Sequence, residues 1–356
     1  MPRIAARRIC VVRTSALGDV VHALAMVNGL RGGFPEAHIT WVLHPLGHDV
    51  VCRQPVVDRF VVFPRHGGLA GWRRLAAELR AERYDLAITP QVSAKAGLIT
   101  ALLVAEVKLG FDWRRSRELH WWVTNHHVPH RPPGHVQDAY LEFLDWLELP
   151  RGEPRWDLVF TAEEIAWREA FYAGLGRSAV AFVVASSRPA KDWRPDAYAR
   201  VMEHVHDVLG LQPLIVGGPS VRERDVTEAI VGRCRAPVVA ALERPVRRTL
   251  LRLSGAAVVV APDTGPLHAA VALGVPTVGL YGASDPRRCG PYQRFGDLLV
   301  DRYSEPGERE APIRRTLRHG RMAAITPGDV IEKIELALAR YPREVGEPAR
   351  RGEERA

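Results

Sequence analysis

The stretch AAVVVAPDTGPLHAAVALGVPTVGLY, residues 256–281, decides the reading of the chain. Val258, Val259 and Val260 form an uninterrupted β-branched run of the kind found in a strand buried on both faces. A second such run, Thr277 to Tyr281, follows about one helix length later. Between them, Pro266 stands where a helix prefers its first residue, and Gly274 with Pro276 beyond supplies the usual stop signals. The unit is therefore strand, turn, helix Leu267–Leu273, strand. Its turn, Asp263 to His268, combines Gly265, which lets a backbone approach a ligand closely, with free amides at the positive end of a helix dipole, a setting that favours a phosphate. A carboxylate beside phosphates would repel them, so Asp263 is expected to face sugar hydroxyls. The same residues also read as a helix start, with Asp263 or Thr264 as the cap and His268 packed in the core.

The alternation extends outward from this unit. Strands are expected at Arg8–Arg13, His38–Leu43, Arg59–Phe63, Asp85–Thr89 and Val107–Gly110 in the first half. In the second half they are expected at Ala179–Ala185, Pro213–Gly217, Ala256–Ala261 and Thr277–Tyr281. Helical patterns such as Trp72–Arg83 and Ala94–Val104 lie between strands, the signature of parallel sheets covered by helices. At 356 residues the chain exceeds the usual span of one hydrophobic core. The expected domains are 1–155 and 156–341, with the charged segment 342–356 as a flexible tail; Pro150, Gly152 and Pro154 mark the junction.

Composition narrows the function. Lys and Arg number 49 against 41 Asp and Glu, a net charge of +8. Such an excess suits anionic partners, although a preference for Arg accounts for it equally well, since only Lys95, Lys108, Lys191 and Lys333 are lysines. No apolar run reaches the length of a membrane span, and Cys10, Cys52, Cys234 and Cys289 share no close spacing. A cytoplasmic protein without disulfides is expected. There is no phosphate-loop or dinucleotide fingerprint, which lowers kinase, ATPase and dehydrogenase readings.

A second turn follows the first strand: Arg13-Thr14-Ser15-Ala16-Leu17-Gly18-Asp19, then a helix to about Leu30. Asp19 would project from the first helical turn at the carboxyl edge of a sheet, where ligands bind in such folds. It could accept a proton from an attacking hydroxyl, or it could simply stabilise the helix; the helix dipole is expected to lower its pKa in either case. No two aspartates stand two residues apart, so the diphosphate-chelating Asp-x-Asp pattern is absent. His126, His127, His130 and His135 match no zinc spacing, and neither a metal nor another cofactor is expected.

Thr14-Ser15-Ala16-Leu17-Gly18-Asp19-Val20-Val21-His22 and Asp263-Thr264-Gly265-Pro266-Leu267-His268, followed by Tyr281-Gly282-Ala283-Ser284-Asp285-Pro286, closely resemble the lipopolysaccharide heptosyltransferases of glycosyltransferase family 9. Gly110-Phe111-Asp112-Trp113 and Lys191-Asp192-Trp193 extend the likeness. The resemblance implies the glycosyltransferase B fold, two Rossmann-like domains facing a central cleft. It implies an inverting, metal-independent transfer of heptose from ADP-heptose to a Kdo-containing inner-core lipopolysaccharide acceptor. It makes Asp19 the base, with Ser15 and Gly18 beside the acceptor. It sets Ser186, Ser187 and Lys191 with Thr264, Gly265, Pro266, Leu267 and His268 around the donor, Asp263 on the sugar and Glu223 on the ribose. Glu223 also reads as a solvated helix charge. Lys191 is attractive independently, because a compact ammonium suits a leaving phosphate.

Arg114, Arg115 and Arg117 precede Trp121 and Trp122, and cations interleaved with aromatics fit an acidic sugar, a membrane surface or nucleic acid. An ordinary basic loop with its tryptophans packed inward fits the same pattern. Given the resemblance, carboxylate recognition by Arg114 and Arg117 is preferred; peripheral contact with the inner membrane is a weaker expectation, and no nucleic acid is expected. The alternatives are a transferase of the same fold acting on a later core sugar or a protein, and a non-catalytic sugar-nucleotide or nucleic-acid binder.

Overall fold

The computed structural model of the protein describes residues 4–63, 67–118, 120–308 and 311–343. The chain forms two compact units, Met1–Val159 and Phe160–Ala356. Unit 1 comprises β1 (Arg8–Val12), α1 (Leu17–Gly33), β2 (His38–Leu43), α2 (Pro45–Val51), β3 (Arg59–Val62), α3 (Gly68–Arg80), β4 (Arg83–Ile88), α4 (Ala94–Leu102), β5 (Val104–Gly110), β6 (His126–His127) and α5 (Val136–Trp146). Unit 2 begins with α6 (Ala162–Leu175), β7 (Ala179–Phe182), α7 (Pro195–Asp207), β8 (Gln212–Gly217), α8 (Val221–Val231) and β9 (Val239–Leu242). It continues with α9 (Val246–Gly255), β10 (Val258–Pro262), α10 (Gly265–Ala272), β11 (Thr277–Tyr281), α11 (Pro286–Cys289), β12 (Val300–Asp301) and α12 (Pro327–Arg340).

Each unit carries one six-stranded sheet. The order in unit 1 is β3-β2-β1-β4-β5-β6, and unit 2, read from β9, repeats it as β9-β8-β7-β10-β11-β12. All the pairings are parallel. This is the dinucleotide-fold order, in which the connections reverse direction between the first and fourth strands and leave a crevice beyond their carboxyl ends. The crevice of unit 1 lies between β1 and β4, that of unit 2 between β7 and β10. Strands at these central positions are the ones covered on both faces: β7, β10 and β11 are buried along their whole length, whereas edge strands β3 and β9 are only partly covered.

Several expected boundaries shift by a few residues. Helix α10 starts at Gly265 rather than Leu267, with Thr264 as its cap. It ends where expected: Gly274 adopts φ +67°, and the amides of Gly274 and Val275 bond Val271 and Ala270, closing the helix by the left-handed glycine motif. Strands β6, β9 and β12 escaped the sequence reading because each is four residues or fewer and sits at or near a sheet edge. The tail expected from Pro342 begins with Arg343 tied to the carbonyls of Ser254 and Ala256, at 3.0 and 2.9 Å; the remainder, 344–356, lies outside the described residues. All four cysteines are free thiols.

Gly282, just past β11, has a steric reason to be glycine. A β-carbon there would stand 2.6 Å from the backbone nitrogen of Met322 and 2.7 Å from the carbonyl carbon of Arg321. Gly282→Ala should lower stability by about 1–3 kcal/mol, the usual cost of overpacking. Urea unfolding checks this, and an unchanged midpoint would mean that the backbone yields freely there.

Candidate active site

In unit 2 the chain leaves β7 through Val183, Val184 and Ala185 and turns at Ser186. The Ser186 hydroxyl bonds its own loop, donating to the Arg188 carbonyl at 2.6 Å, and Ser187 is exposed beside it. The next residues point in three directions. Asp192 accepts from the Ser186 amide at 2.9 Å and pairs with Arg222 of α8, which also donates to the Ser186 carbonyl. Trp193 is buried, its indole N–H bonded to the Ile325 carbonyl at 3.0 Å. Lys191, fixed between these anchors, reaches across the crevice to the end of β10. Its ammonium lies 2.5 Å from Oδ2 of Asp263 and 3.3 Å from the Asp263 carbonyl.

Asp263 is almost fully buried, with both carboxylate oxygens occupied. Oδ1 faces Nε2 of His268 at 3.4 Å, and Oδ2 takes Lys191 together with the Cys289 thiol at 3.3 Å. Burial alone would push its pKa up; the His268 hydrogen bond and the Lys191 ammonium outweigh burial and hold the carboxyl far below the ordinary range. Burial, reinforced by the Asp263 charge, pushes the Cys289 thiol well up, so it remains a neutral donor. Asp263 therefore partners the candidate phosphate lysine.

The start of α10 is arranged to receive an anion. Pro266 has no amide, and the amides of Thr264, Gly265 and Leu267 have no acceptor within the helix. Thr264 does not use them: its side chain makes no cap bond, and its buried hydroxyl oxygen has no hydrogen-bond partner among the described residues. The Leu267 side chain is buried in the core, where a β-carbon on Gly279 would touch it at 3.5 Å. Its backbone N–H, at the start of the helix, is the group it can offer a ligand. Pro266 likewise shapes the turn and donates nothing.

Glu223 serves first as the N3 member of the α8 capping box. Its carboxylate accepts from the Gly218 amide at 2.7 Å and from the Ser220 hydroxyl at 2.5 Å. The close approach needs Gly217 and Gly218, since β-carbons there would meet its oxygens at 2.9 and 3.1 Å. The solvated-charge reading of Glu223 is thus replaced by a cap.

In unit 1 the loop after β1 is pinned to the loop after β4. The Thr14 amide and hydroxyl both donate to Oε1 of Gln91, at 2.8 and 3.0 Å. Asp19, in the first turn of α1, lies 2.5 Å from the Arg13 guanidinium through Oδ2, which also accepts the Ala16 amide at 3.2 Å. Among the described residues Oδ1 faces the Tyr140 hydroxyl alone, at 3.3 Å, and the side chain is 35% exposed. Burial works to raise its pKa, but Arg13, then His22 and the Ala16 amide, bring it below the usual value. Ser15 is partly buried and Gly18 buried beside it.

On the loop after β5, the three neighbouring arginines separate. Arg115 is structural: it pairs with Asp112 and with Glu142 of α5, and donates to the Pro129 carbonyl at 2.8 Å. Arg114 and Arg117 are exposed, and among the described residues neither has an ion-pair partner. The inward-packing reading of the tryptophans fails for Trp121 and Trp122, which are 40% and 77% exposed; Trp113, earlier on the same loop, is 67% exposed. The histidines are spent on local bonds: His126 with Asn125, His127 with Thr124, His130 with Asp112 and His135 with the Gln137 amide. Among the described residues no group of three or more His, Cys, Asp or Glu side chains could hold a metal ion.

Sequence reasoning missed Arg13, Gln91, Tyr140, Arg222 and Cys289. Arg13 and Cys289 lie inside or beside the quoted motifs and could have been weighed. Tyr140 and Arg222 carry no local signal, because only the folded chain brings them to Asp19 and Asp192.

The chain matches the model of Glycosyltransferase family 9 (heptosyltransferase) over residues 72–310. It is 28% identical over 307 residues to the lipopolysaccharide core heptosyltransferase OpsX of Haemophilus influenzae, covering 86% of this chain and 87% of that protein. Among solved structures it is similar to a glycosyl transferase family 9 protein of Veillonella parvula, with a TM-score of 0.80, 22% identity and 94% and 98% of the two chains covered. It is also similar to the E. coli heptosyltransferase WaaC with ADP-2-deoxy-2-fluoro heptose, with a TM-score of 0.68, 21% identity and 92% and 99% covered.

Removing the ammonium leaves a buried carboxylate short of its main counter-charge. Lys191→Ala should cost roughly 2–3 kcal/mol at neutral pH. Because the folded pKa of Asp263 is depressed, its contribution is complete above the ordinary carboxylate value of about 4 and is lost as pH falls through the folded value. The deficit of the variant should therefore shrink in acid. Urea midpoints at neutral pH and near pH 3 measure both effects; a pH-independent deficit would show that the ion pair is not its source.

Proposed function

The chain belongs to glycosyltransferase family 9, the heptosyltransferases, and from that premise we propose that it transfers heptose from ADP-heptose to an anionic, Kdo-containing inner-core acceptor of lipopolysaccharide. The family match and the similarity to OpsX support the heptosyl transfer and the lipopolysaccharide pathway. The ADP-sugar analogue carried by the WaaC structure supports the donor class.

The observation that carries the mechanism is the setting of Asp19. It is kept ionised by Arg13, and among the described residues its Oδ1 takes a single long hydrogen bond, from Tyr140. In the proposed step an acceptor hydroxyl attacks the anomeric carbon as the bond from that carbon to the β-phosphate oxygen breaks. The bonding pair leaves with ADP, the hydroxyl proton passes to Asp19, and the configuration inverts. A depressed pKa makes Asp19 a weak ground-state base, which suits proton transfer late in the displacement, when the attacking hydroxyl has become acidic.

Lys191 and the free amides of Thr264, Gly265 and Leu267 stabilise the departing diphosphate, a reaction that needs no metal. As the phosphate draws Lys191 away, Asp263 becomes available to hydroxyls of the transferred sugar. His268 continues to hold its other oxygen. Ser186 and Ser187 border the diphosphate, and Glu223, once capping is satisfied, has lone pairs left for the ribose. Ser15 and Gly18 line the acceptor side, where Arg114 and Arg117 meet the Kdo carboxylates. The enzyme works in the cytoplasm, in peripheral contact with the inner membrane that anchors its acceptor. No helix of the described residues is long and apolar enough to cross a membrane.

Asp19→Asn should lower kcat at least about 100-fold, the usual worth of a positioned base, with ADP-heptose affinity retained. Mass spectrometry of the product from ADP-heptose and a panel of core acceptors, including later-core sugars, identifies the acceptor; wild-type turnover by the variant would remove Asp19 from the base role. Arg13→Ala should move the acidic limb of kcat/KM to higher pH, because it removes the charge that depresses the Asp19 pKa. An unmoved limb would show that the limb belongs to another group.

A further inference from the structure

Beside the arginines assigned above to the acceptor, the loop between β5 and β6 carries tryptophans that the transfer chemistry does not use. Residues 120–123 form a single turn of 3-10 helix, in which every third residue shares a face. His120 and Val123 take the inward face against α4: a β-carbon on Gly97 would lie 3.7 Å from the Cα of His120 and from Cγ2 of Val123. Trp121 and Trp122 are thereby turned outward, with ring centroids 6.0 Å apart. Trp121 is 40% exposed and Trp122 far more so.

Earlier on the same loop Trp113 is exposed, with the Arg114 guanidinium 5.5 Å from its ring centroid. The scaffold beneath is firm. Arg115 ties the loop to Asp112, Glu142 and Pro129, and His127 stacks on Trp121 at 5.0 Å. Three large aromatics of this loop are thus exposed to solvent. An exposed cluster of this kind marks a contact surface. An indole, with an apolar body and one N–H, favours the headgroup layer of a bilayer, and adjacent arginines with no ion-pair partner among the described residues favour anionic lipid.

We propose that Trp113, Trp121 and Trp122, with Arg114 and Arg117, form a docking surface for an anionic phospholipid bilayer. The proposal rests on the lipid-anchored acceptor argued above and assigns its membrane contact to a named surface of unit 1. Nucleic acid is the rival occupant, since it also takes cations and aromatics. Two arginines neutralise too few phosphates to hold it firmly, whereas indoles favour a headgroup layer.

The test uses the full chain with sedimented vesicles of phosphatidylcholine alone and of phosphatidylcholine mixed with phosphatidylglycerol. Wild-type protein should bind the mixed vesicles more strongly, with a blue shift of tryptophan emission and weakening by salt. The variant Trp113→Ala/Trp122→Ala should lower the partition coefficient on the order of tenfold or more, from the aromatic area withdrawn. It should keep the wild-type urea midpoint and wild-type turnover of a soluble, delipidated acceptor. Arg114→Gln/Arg117→Gln should abolish the preference for phosphatidylglycerol.

Wild-type protein remaining in the supernatant, or a tryptophan variant that partitions like wild type, overturns the docking surface while leaving transfer to the soluble acceptor intact. Tight binding of a single-stranded oligonucleotide that displaces the vesicles would assign the surface to nucleic acid instead. Loss of soluble turnover by wild-type protein would sink the transferase reading and not this one.

Discussion

The Lys191–Asp263 ion pair is the constraint around which the candidate donor site of unit 2 is arranged. It joins the ends of β7 and β10, the two strands between which the connections reverse, and so spans the crevice that this topology leaves open. A buried pair of this kind contributes little net stability, because two ions lose their hydration to form it. Its effect is to place an ammonium and a carboxylate at one point of that crevice. The surroundings are consistent with that role. Trp193 and the Arg222–Asp192 pair fix the lysine from one side, while His268 and the Cys289 thiol fix the carboxylate from the other.

Unit 1 solves the same topological problem with different chemistry. Its crevice between β1 and β4 is closed by neutral bonds from Thr14 to Gln91, and the charged pair, Arg13 with Asp19, lies to one side. Arg13 and the Ala16 amide satisfy one oxygen of Asp19, leaving the other with a single bond from Tyr140. Two units of identical strand order thus carry different charged groups at their crevices: a carboxylate, Asp19, paired with Arg13 in one, and an ammonium, Lys191, beside a helix N-terminus in the other. The order sets where the loops emerge; the residues on the loops set what they do.

Much of this was legible from local pattern. The β-branched runs located the central strands, with His38–Leu43 and Thr277–Tyr281 matching residue for residue, and Gly274 with Pro276 marked the end of α10. Central strands read well because both faces are buried and their composition is nearly uniform. Short strands at or near the sheet edges, such as His126–His127 and Val300–Asp301, did not, because two residues carry no periodicity. Among site residues, Asp19, Lys191 and Asp263 were visible because they follow strand ends. Glu223 was visible as an acid, but its capping bonds to Gly218 and Ser220 depend on a loop geometry that no spacing announced.

The sequence by itself determined that two parallel α/β units exist, where their central strands and helix ends fall, and which motifs sit at the carboxyl edges. These are consequences of short-range rules of burial, capping and turn chemistry. Only the tertiary structure decided that both sheets share one strand order, that Lys191 is paired with Asp263 rather than free, that Tyr140 reaches Asp19, and that Trp113 and Trp122 face outward. Such facts depend on residues far apart in the chain being brought together by packing, where the cost of a buried charge or an unpaired polar group is settled by neighbours that the local sequence does not contain.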